Sequence, residues 1–427
     1  MTTPRPARLR EAHVHLAWHG RALGMLRLGD CTSVKDCLAK VASEAARLQA
    51  SGARDWLMGV QLRIESWTDP RWPSREELDR VTGTRPAWLM SFDHHSLVAN
   101  SAALAAAGFV EGCSDPQGGV LGRDEAGRLT GLCLEAACRR VREASPEPPP
   151  AELKQHVRTA IRDLAAMGFV EVHDLLTQPW LPAMLAELHD AGELPIRVGL
   201  FPLVEHLAPV AAGRQAWSRP GLELLGGKVF VDGTLNARTA WMLAPYADAM
   251  LEHPCGTALM SVEQIASAMR ACTALEVGFA AHAIGDGAVR ACLDAAQSLP
   301  PLPRDVRRAF RIEHAELIDQ ADVPRFAELG LAASVQPCHL LYDIEALERS
   351  LPDRLHRVLP LRDLVQAGLV PGRTLLFGSD TPIVRPNPED SIQAAVHRRR
   401  ADSPASRAIA PLQAISEDQA WACFAAS

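Results

Sequence analysis

Short apolar runs rich in branched side chains recur along the chain, and each run ends near a polar residue. Amphipathic stretches such as Val262–Leu275 and Ala288–Leu299 separate most of these runs. The runs predict β-strands, and the stretches predict helices. The eight predicted strands are Leu9–His15, Phe169–Asp174, Ile196–Pro202, Lys228–Asp232, Val277–Ala283, Phe310–His314, Ala332–Gln336 and Thr374–Asp380.

Eight strands that alternate with helices predict an α/β protein with a (β/α)8 barrel of the TIM type. Active sites of such barrels lie at the carboxyl ends of the strands. The residues at those ends are His15, Asp174, Asp232, His282, His314 and Asp380. We therefore expect the chemistry of this protein at one end of the barrel.

A long insertion, about residues 20–165, separates the first predicted strand from the second. It carries a predicted helix at Val34–Ala50, a strand-like run at Trp56–Arg63 and a hairpin-like GGVLGRDEAGRLTG segment. The Pro-rich segment Glu143–Glu152 predicts a stiff surface linker or the approach to a helix. We expect residues 1–427 to form a single barrel domain, within which residues 20–165 are a lid-like subdomain that covers the active site.

Composition indicates a globular protein with a sizeable core, since 48% of the 427 residues are hydrophobic and 22% are charged. The formal net charge is −7, and the main basic run is Arg398–Arg400. A solvated helix face explains that run better than a nucleic-acid patch does. Nucleic acid is therefore not an expected partner.

The first ten residues, MTTPRPARLR, contain arginines but are followed by no apolar region typical of a signal peptide. No apolar stretch is long enough to cross a bilayer, so we expect no membrane association and a cytoplasmic location. The ten cysteines include no CxxC pair, and several lie in apolar helical patterns. Disulfides are not expected.

Four short motifs supply candidate metal ligands: AHVH at Ala12–His15, HAIGD at His282–Asp286, RIEH at Arg311–His314 and GSD at Gly378–Asp380. His13 and His15 are two residues apart, so on a strand both imidazoles point to the same face and can bind one divalent ion. His282 and His314 would complete the set of nitrogen ligands. Asp380 would add a carboxylate able to move protons beside the ion.

These motifs resemble the amidohydrolase superfamily, and within it the amidohydrolase-3 branch that includes formamide deformylase-like enzymes. Further segments are similar to that branch in kind and order, from about residue 11 to the C-terminus. They are Asp93–Leu104, Gly118–Ala137, Gly226–Ala240, Ser334–His339 and Ser379–Pro388.

The resemblance implies a metal-dependent hydrolase that cleaves a non-peptide C–N bond, in an amide or an N-substituted formamide, by metal-activated water. Asp380 would be the general acid and base. The implied metal ligands are His13, His15, Lys228, His282, His314 and Asp380. We expect one or two divalent ions, and zinc is the expected metal, although imidazole and carboxylate ligands also suit iron, manganese and nickel.

Lys228 is open to two interpretations. A lysine at the end of a barrel strand can be carboxylated by carbon dioxide and bridge two metals, and the resemblance places a lysine here. Alternatively, Lys228 pairs with Asp232 or Asp380, because an unpaired buried ammonium is costly. Asp286, which starts a predicted helix, is interpreted as a capping residue.

Substrate contacts are predicted for a small-molecule substrate. His95, Asn100, Arg123 and Trp241 lie in segments that resemble the pocket-forming segments of the branch. Gln336 and His339 follow the seventh predicted strand.

Two other functions stay open at this point. One is hydrolytic deamination of a small heterocycle, which needs a carboxylate that faces a ring nitrogen. The other is a non-catalytic barrel that binds a small molecule without turning it over.

The resemblance also implies a small β-sandwich built from strands before AHVH and after the last helix. Few residues precede AHVH, and a predicted capping box at Ser416–Gln419 begins a final helix. We therefore expect the sandwich to be absent. A homodimer could cover the barrel face that the sandwich would otherwise cover.

Overall fold

The computed structural model describes residues 6, 8–51, 56–92, 95–249, 253–301 and 309–426. The strands within these residues are numbered in chain order. They are β1 Leu9–Val14, β2 Leu26–Arg27, β3 Leu57–Leu62, β4 Ala87–Ser91, β5 Ser96–Ala99, β6 Gly119–Arg123, β7 Leu129–Glu135, β8 Phe169–Asp174, β9 Arg197–Leu200, β10 Leu222–Leu224, β11 Gly226–Phe230, β12 Gly278–Ala283, β13 Phe310–His314, β14 Ala332–Val335 and β15 Leu375–Phe377.

The α-helices of the described residues follow the same numbering. They are α1 Leu16–Leu23, α2 Val34–Ala50, α3 Arg75–Thr82, α4 Ser101–Ala106, α5 Ala136–Ala144, α6 Pro150–Ala166, α7 Leu181–Asp190, α8 Val204–Ala212, α9 Arg214–Trp217, α10 Val262–Ala274, α11 Asp286–Gln297, α12 Val323–Leu329, α13 Pro337–Ser350, α14 Leu361–Gln366, α15 Pro388–His397 and α16 Glu417–Cys423.

The chain divides into two compact units. The main unit comprises residues 1–20 and 154–427, and the inserted unit comprises residues 21–153. The candidate metal ligands all belong to the main unit.

Two parallel sheets form the centre of the main unit. One has the strand order β1-β8-β9-β10, and the other has the order β11-β12-β13-β14-β15. Isolated parallel bridges join Val14 to Thr381 and Leu203 to Lys228. All eight predicted strands are present, with slightly different ends, and the α/β class is confirmed. The three-residue strand β10 was not predicted, because so short a run carries no periodic signal.

The strands of the main unit are buried along nearly their whole length, which explains why they form continuous apolar runs in the sequence. Phe169, Phe279, Phe310 and Phe377 belong to one large core cluster and are almost fully buried. The predicted capping box of the last helix is confirmed, since the side chains of Ser416 and Gln419 each bind the other's backbone amide.

The inserted unit contains a six-stranded mixed sheet with the order β2-β3-β4-β5-β7-β6. The predicted helix is confirmed as α2, the strand-like run as β3, and the hairpin as the antiparallel pair β6 and β7. Residues 93 and 94, at the start of one segment compared above, lie outside the described residues. The role of this unit as a lid stays a prediction.

The prediction of a solvated face at the basic run is wrong. Arg398 is fully buried, and its guanidinium donates hydrogen bonds to the carbonyl oxygens of Val358 and Ile409. Arg400 pairs with Glu345. The reason is that α15 ends at His397 and Arg398 adopts a left-handed conformation with φ of 58°, which turns the chain back into the core.

None of the helices in the described ranges combines the length and the apolar character that crossing a membrane requires.

Candidate metal centre

Strand ends bring the candidate ligands to one place in the main unit. His13 lies on β1, and His15 follows this strand directly. His282 lies near the end of β12, and His314 ends the neighbouring strand β13. Asp380 follows β15, and its backbone amide donates a hydrogen bond to the carbonyl oxygen of His13 at 2.9 Å. Residues from four strands therefore meet at the carboxyl edge that the sequence predicted.

Asp380 lies at the middle of this group. Its Oδ1 atom is 3.1 Å from Nε2 of His13 and 2.8 Å from Nε2 of His15. His13, His314 and Asp380 each offer one ligand atom, and these atoms lie within 4.8 Å of one another. His15 is outside that triplet but contacts its carboxylate.

His282 is also outside the triplet, but its ring centroid lies 4.4 Å from that of His314. Nε2 of His282 is 3.1 Å from the carbonyl oxygen of Gly233. A carbonyl oxygen can only accept, so Nε2 donates to it. His282 is therefore held beside His314 at the edge of the triplet.

Left-handed backbone conformation explains how His314 joins the group. Alternate residues of a strand point to opposite faces, so Glu313 and His314 would normally point apart. His314 has φ of 68° and Ala315 has φ of 41°, values that few residues other than glycine adopt. The irregular backbone lets both side chains of β13 approach His13, whose ring centroid is 5.0 Å from that of His314.

The protonation pattern fits a cation. Nδ1 of His13 lies 2.7 Å from the Glu313 carboxylate and donates to it, and Nε2 lies 3.1 Å from Asp380 Oδ1. Burial acts to lower the pKa of His13, but Asp380 and Glu313 outweigh burial and raise this pKa above its ordinary value. The contact between Nε2 of His13 and Oδ1 of Asp380 requires a proton or a metal ion between the two atoms. Burial and the neighbouring His282 hold the pKa of His314 well below its ordinary value, so this imidazole is neutral. A neutral imidazole is the form that binds metal.

Asp380 is ionised at neutral pH. Burial acts to raise the pKa of this carboxyl, but His13 and His15 outweigh burial and hold the pKa well below its usual range. The group can therefore accept a proton, either as a ligand or as a base.

Glu313 and Arg311 are site residues to which the sequence analysis assigned no role. Glu313 is fully buried, and its other oxygen lies 2.5 Å from Nε of Arg311. Arg311 also donates to the carbonyl oxygen of Ala12 at 2.9 Å, next to His13. Burial acts to raise the pKa of Glu313, but Arg311 and His13 lower it to about 2. The two-residue spacing within RIEH, which places Arg311 and Glu313 on one strand face, was the available signal.

Asp232 organises the loops around the site. Its carboxylate accepts hydrogen bonds from the backbone amides of Trp241 at 3.0 Å, Ile284 at 3.0 Å and Gly285 at 2.9 Å. A Cβ at Gly285 would lie 2.0 Å from the carbonyl oxygen of Trp241, so this position of HAIGD requires glycine. Asp232 thus holds the loop after β11 against the loop after β12.

Lys228 lies on β11 with its side chain fully buried. Among the described residues its Nζ has no hydrogen-bond partner and no ion pair, so the alternative of a pair with Asp232 or Asp380 is not observed. Burial lowers the pKa of Lys228 to about 8, against the attraction of Glu313 and Asp380. A lowered pKa increases the neutral amine, which is the form that reacts with carbon dioxide. Carboxylation of Lys228 stays a prediction.

A sequence model of the amidohydrolase family, Amidohydro_3, matches residues 9–427. The chain belongs to this family. The resemblance identified from the motifs is therefore confirmed, and membership of the family supports a hydrolase.

Two relatives and one solved structure illustrate the similarity. Protein LONG AFTER FAR-RED 3 of Arabidopsis thaliana is 30% identical over 403 residues, which cover 91% of this chain and 67% of that protein. N-substituted formamide deformylase of Arthrobacter pascens is 24% identical over 380 residues, which cover 86% of this chain and 68% of that protein. The crystal structure of an uncharacterized metal-dependent hydrolase from Pyrococcus horikoshii OT3 has a TM-score of 0.74 at 24% identity, covering 97% of this chain and 78% of that one. This structure shares the fold.

Three of the predicted substrate contacts lie in the main unit of this amidohydrolase. The side-chain nitrogen of Gln336 is 3.3 Å from Nδ1 of His13. His339 binds the carbonyl oxygen of Ser379 at 3.0 Å, and its ring centroid is 6.1 Å from that of His314. The backbone of Trp241 is held by Asp232, as described above. Their contacts with substrate stay predictions.

The other three, His95, Asn100 and Arg123, lie in the inserted unit. His95 pairs with Glu135 at 2.8 Å, and Arg123 pairs with Asp115 at 2.6 Å. Asn100 is fully buried and caps α4, and both its oxygen and its nitrogen make two hydrogen bonds within the unit. Substrate binding by these residues stays a prediction, and for Asn100 the structure provides a structural role.

The capping role predicted for Asp286 is wrong. Gly285 is the N-cap of α11, and the Asp286 carboxylate instead accepts from the Leu243 amide at 2.8 Å and pairs with Arg357 at 2.6 Å. Asp286 therefore ties neighbouring loops to the start of the helix.

His173, which contacts Arg311, is buried in the neutral form. Arg311 donates to its Nδ1 at 2.9 Å, and its Nε2 donates to Glu171 at 3.1 Å. Burial is the main cause that lowers the pKa of His173 from 6.5 to about 4; Glu171 opposes this shift, and Arg311 reinforces it.

This shift predicts acid-dependent stability. The unfolded chain takes up the proton near pH 6.5 and the folded chain only near pH 4, so the contribution of His173 is present above pH 6.5 and lost as the pH falls to 4. The loss should be about 3 kcal/mol. Glutamine cannot titrate, so in urea denaturation the unfolding free energy of His173→Gln should fall less between pH 7 and pH 4 than that of the wild type. The difference between the two decreases should be the contribution of His173. The surface variant His189→Gln should follow the wild type, and equal losses in all three proteins would contradict the prediction.

Proposed function

We propose that this protein hydrolyses a non-peptide C–N bond, in an amide or an N-substituted formamide, and that Asp380 is the general acid and base. The observation that carries the proposal is the position of Asp380 Oδ1, 3.1 Å from His13 and 2.8 Å from His15, within the group of candidate ligands. The relative named N-substituted formamide deformylase supports the type of bond.

The proposal includes a closed (β/α)8 barrel for the main unit. The bridge between Leu203 and Lys228 links the segment after β9 to β11, and the bridge between Val14 and Thr381 links β1 to the segment after β15. These links support a ring in which eight parallel strands follow one another in chain order. Such a ring explains why residues from both ends of the sequence meet at one site.

The residues that would hold the metal are His13, His15, His282, His314 and Asp380, and we propose zinc as the ion. A carboxylated Lys228 would bridge a second ion. When bound, a divalent ion polarises the scissile carbonyl and lowers the pKa of a water molecule towards neutrality. Three or more imidazoles with one carboxylate are a ligand set that suits this role.

The side chains of this protein perform the proton transfers. The Asp380 carboxylate, ionised at neutral pH, takes one proton from the attacking water and passes it to the departing nitrogen. A new C–O bond forms, the C–N bond breaks, and the products are an acid and an amine. Glu313 accepts a hydrogen bond from Nδ1 of His13 and so orients the ring with Nε2 towards Asp380, and burial of these groups strengthens each electrostatic contact.

Elemental analysis of the purified protein tests this proposal. The wild type should contain about one or two metal ions per chain, and the double variant His13→Ala/His15→Ala should contain fewer and release no formate from N-substituted formamides. About two ions would support a bridging Lys228, and about one would leave it as an unbridged amine. The matched control His189→Ala/His206→Ala changes two histidines outside the group and should keep the full metal content. A wild type that binds no metal, even after reconstitution with zinc or manganese, would contradict the proposed function.

A further inference from the structure

Phe230 differs from the rest of its strand. It is the last residue of β11, and the four residues before it are buried, whereas its own side chain is 36% exposed. An exposed phenylalanine on its own needs no explanation. The residues around this ring indicate a function for it.

The ring lies beside the candidate metal ligands. In the parallel ladder Phe230 is the direct partner of His282, and the two ring centroids are 5.1 Å apart. Phe230 and Lys228 share one face of the strand, and the Lys228 ammonium lies 5.2 Å from the ring centroid. The partly exposed ring therefore lies beside both His282 and the buried lysine.

Leu259, whose apolar side chain is also exposed, is joined through its backbone to the residue after Phe230. The Leu259 amide donates to the carbonyl oxygen of Val231 at 2.8 Å, immediately after Phe230, and the Leu259 side chain is 54% exposed. Exposed apolar surface that adjoins a cluster of buried polar groups is typical of a ligand pocket, where polar groups orient the ligand and apolar ones take up the rest of it.

Phenylalanine offers neither a donor nor an acceptor, so its contribution to such a pocket is apolar. An alkyl or aryl group can cover the ring and remove its surface from water, whereas a charged or strongly hydrated group would lose hydration without compensation. The group next to the ring must also be close to the reacting carbon, because His282 is the neighbour of Phe230.

We propose that Phe230 contacts the substrate and selects molecules with an alkyl or aryl substituent beside the scissile C–N bond. This inference rests on the proposed function and adds the substrate class. Residues of the metal centre would determine which bond is cleaved, and Phe230 would determine which substituent is accepted.

The test is a binding series with hydroxamic acids, which chelate zinc through one common group. Acetohydroxamic acid, pentanohydroxamic acid and benzohydroxamic acid are titrated into the zinc-loaded protein by calorimetry. The wild type should bind the benzo compound at least about tenfold more tightly than the aceto compound. Phe230→Ala should reduce that preference to about threefold or less and leave the affinity for acetohydroxamic acid unchanged. Phe230→Leu should retain part of the preference.

A matched control is Leu412→Ala, because Leu412 is 77% exposed and lies in a short 3-10 helix near the C-terminus. It should keep the wild-type preference. A full preference in Phe230→Ala would overturn the inference and leave the proposed function intact. If Phe230→Ala loses affinity for all three acids equally and also loses zinc, the role of Phe230 is structural and the inference is overturned. Zinc-loaded wild type that binds none of the three acids would overturn the proposed function, and this inference with it.

Discussion

Asp380→Asn should reduce turnover of N-substituted formamides by about 10²- to 10⁴-fold, which is the range for removal of a general acid or base. Asparagine has the shape of aspartate but cannot exchange a proton at neutral pH. It also tolerates the left-handed backbone found here, where φ is 61°, so the loop should keep its conformation. The histidines that remain should still hold the metal when zinc is in excess. Formate release and zinc content, measured on the same preparation, check both expectations.

The control for this variant is Asp353→Asn, which changes an exposed aspartate in the same unit and should leave both quantities at the wild-type level. Turnover within about threefold of wild type in Asp380→Asn would exclude this carboxylate as the acid and base. Loss of zinc at saturating concentration would assign Asp380 to metal binding instead.

Glu313→Gln should destabilise the protein by about 3–5 kcal/mol, because it leaves the Arg311 guanidinium buried without its counter-charge. The same change removes the carboxylate that accepts from Nδ1 of His13 at 2.7 Å. Loss of such a partner typically weakens metal binding by about 10- to 100-fold. Urea denaturation measures the first effect, and competition with a chelator measures the second.

The double variant Arg311→Met/Glu313→Gln separates these two effects. Removing the unpaired charge should recover part of the stability, whereas metal affinity should stay low because His13 is still without its carboxylate. Glu328→Gln, an exposed change on α12, should alter neither quantity. If the urea midpoint of unfolding is the same for Glu313→Gln and the wild type, the buried ion pair does not stabilise this fold.

Much of the architecture could be predicted because strand and helix periods are local properties of the sequence. β1, β8, β12 and β13 appear within one or two residues of their predicted positions. The loops are less predictable. The capping role of Asp286 and the solvated face at Arg398 were both wrong, because in each case a distant residue, Arg357 or Val358, supplies the partner that decides the conformation.

The sequence by itself determined the order of strands and helices, the shared face of His13 and His15, and the family, since these depend on spacing and on motifs. Only the tertiary structure decided the rest of the site. Glu313 contacts His13 across 300 residues of sequence, and a left-handed turn brings His314 into the same group. Contacts of this kind depend on which strands become neighbours and on how the backbone bends at their ends. No local pattern carries that information, because it arises when distant segments bury their surfaces together.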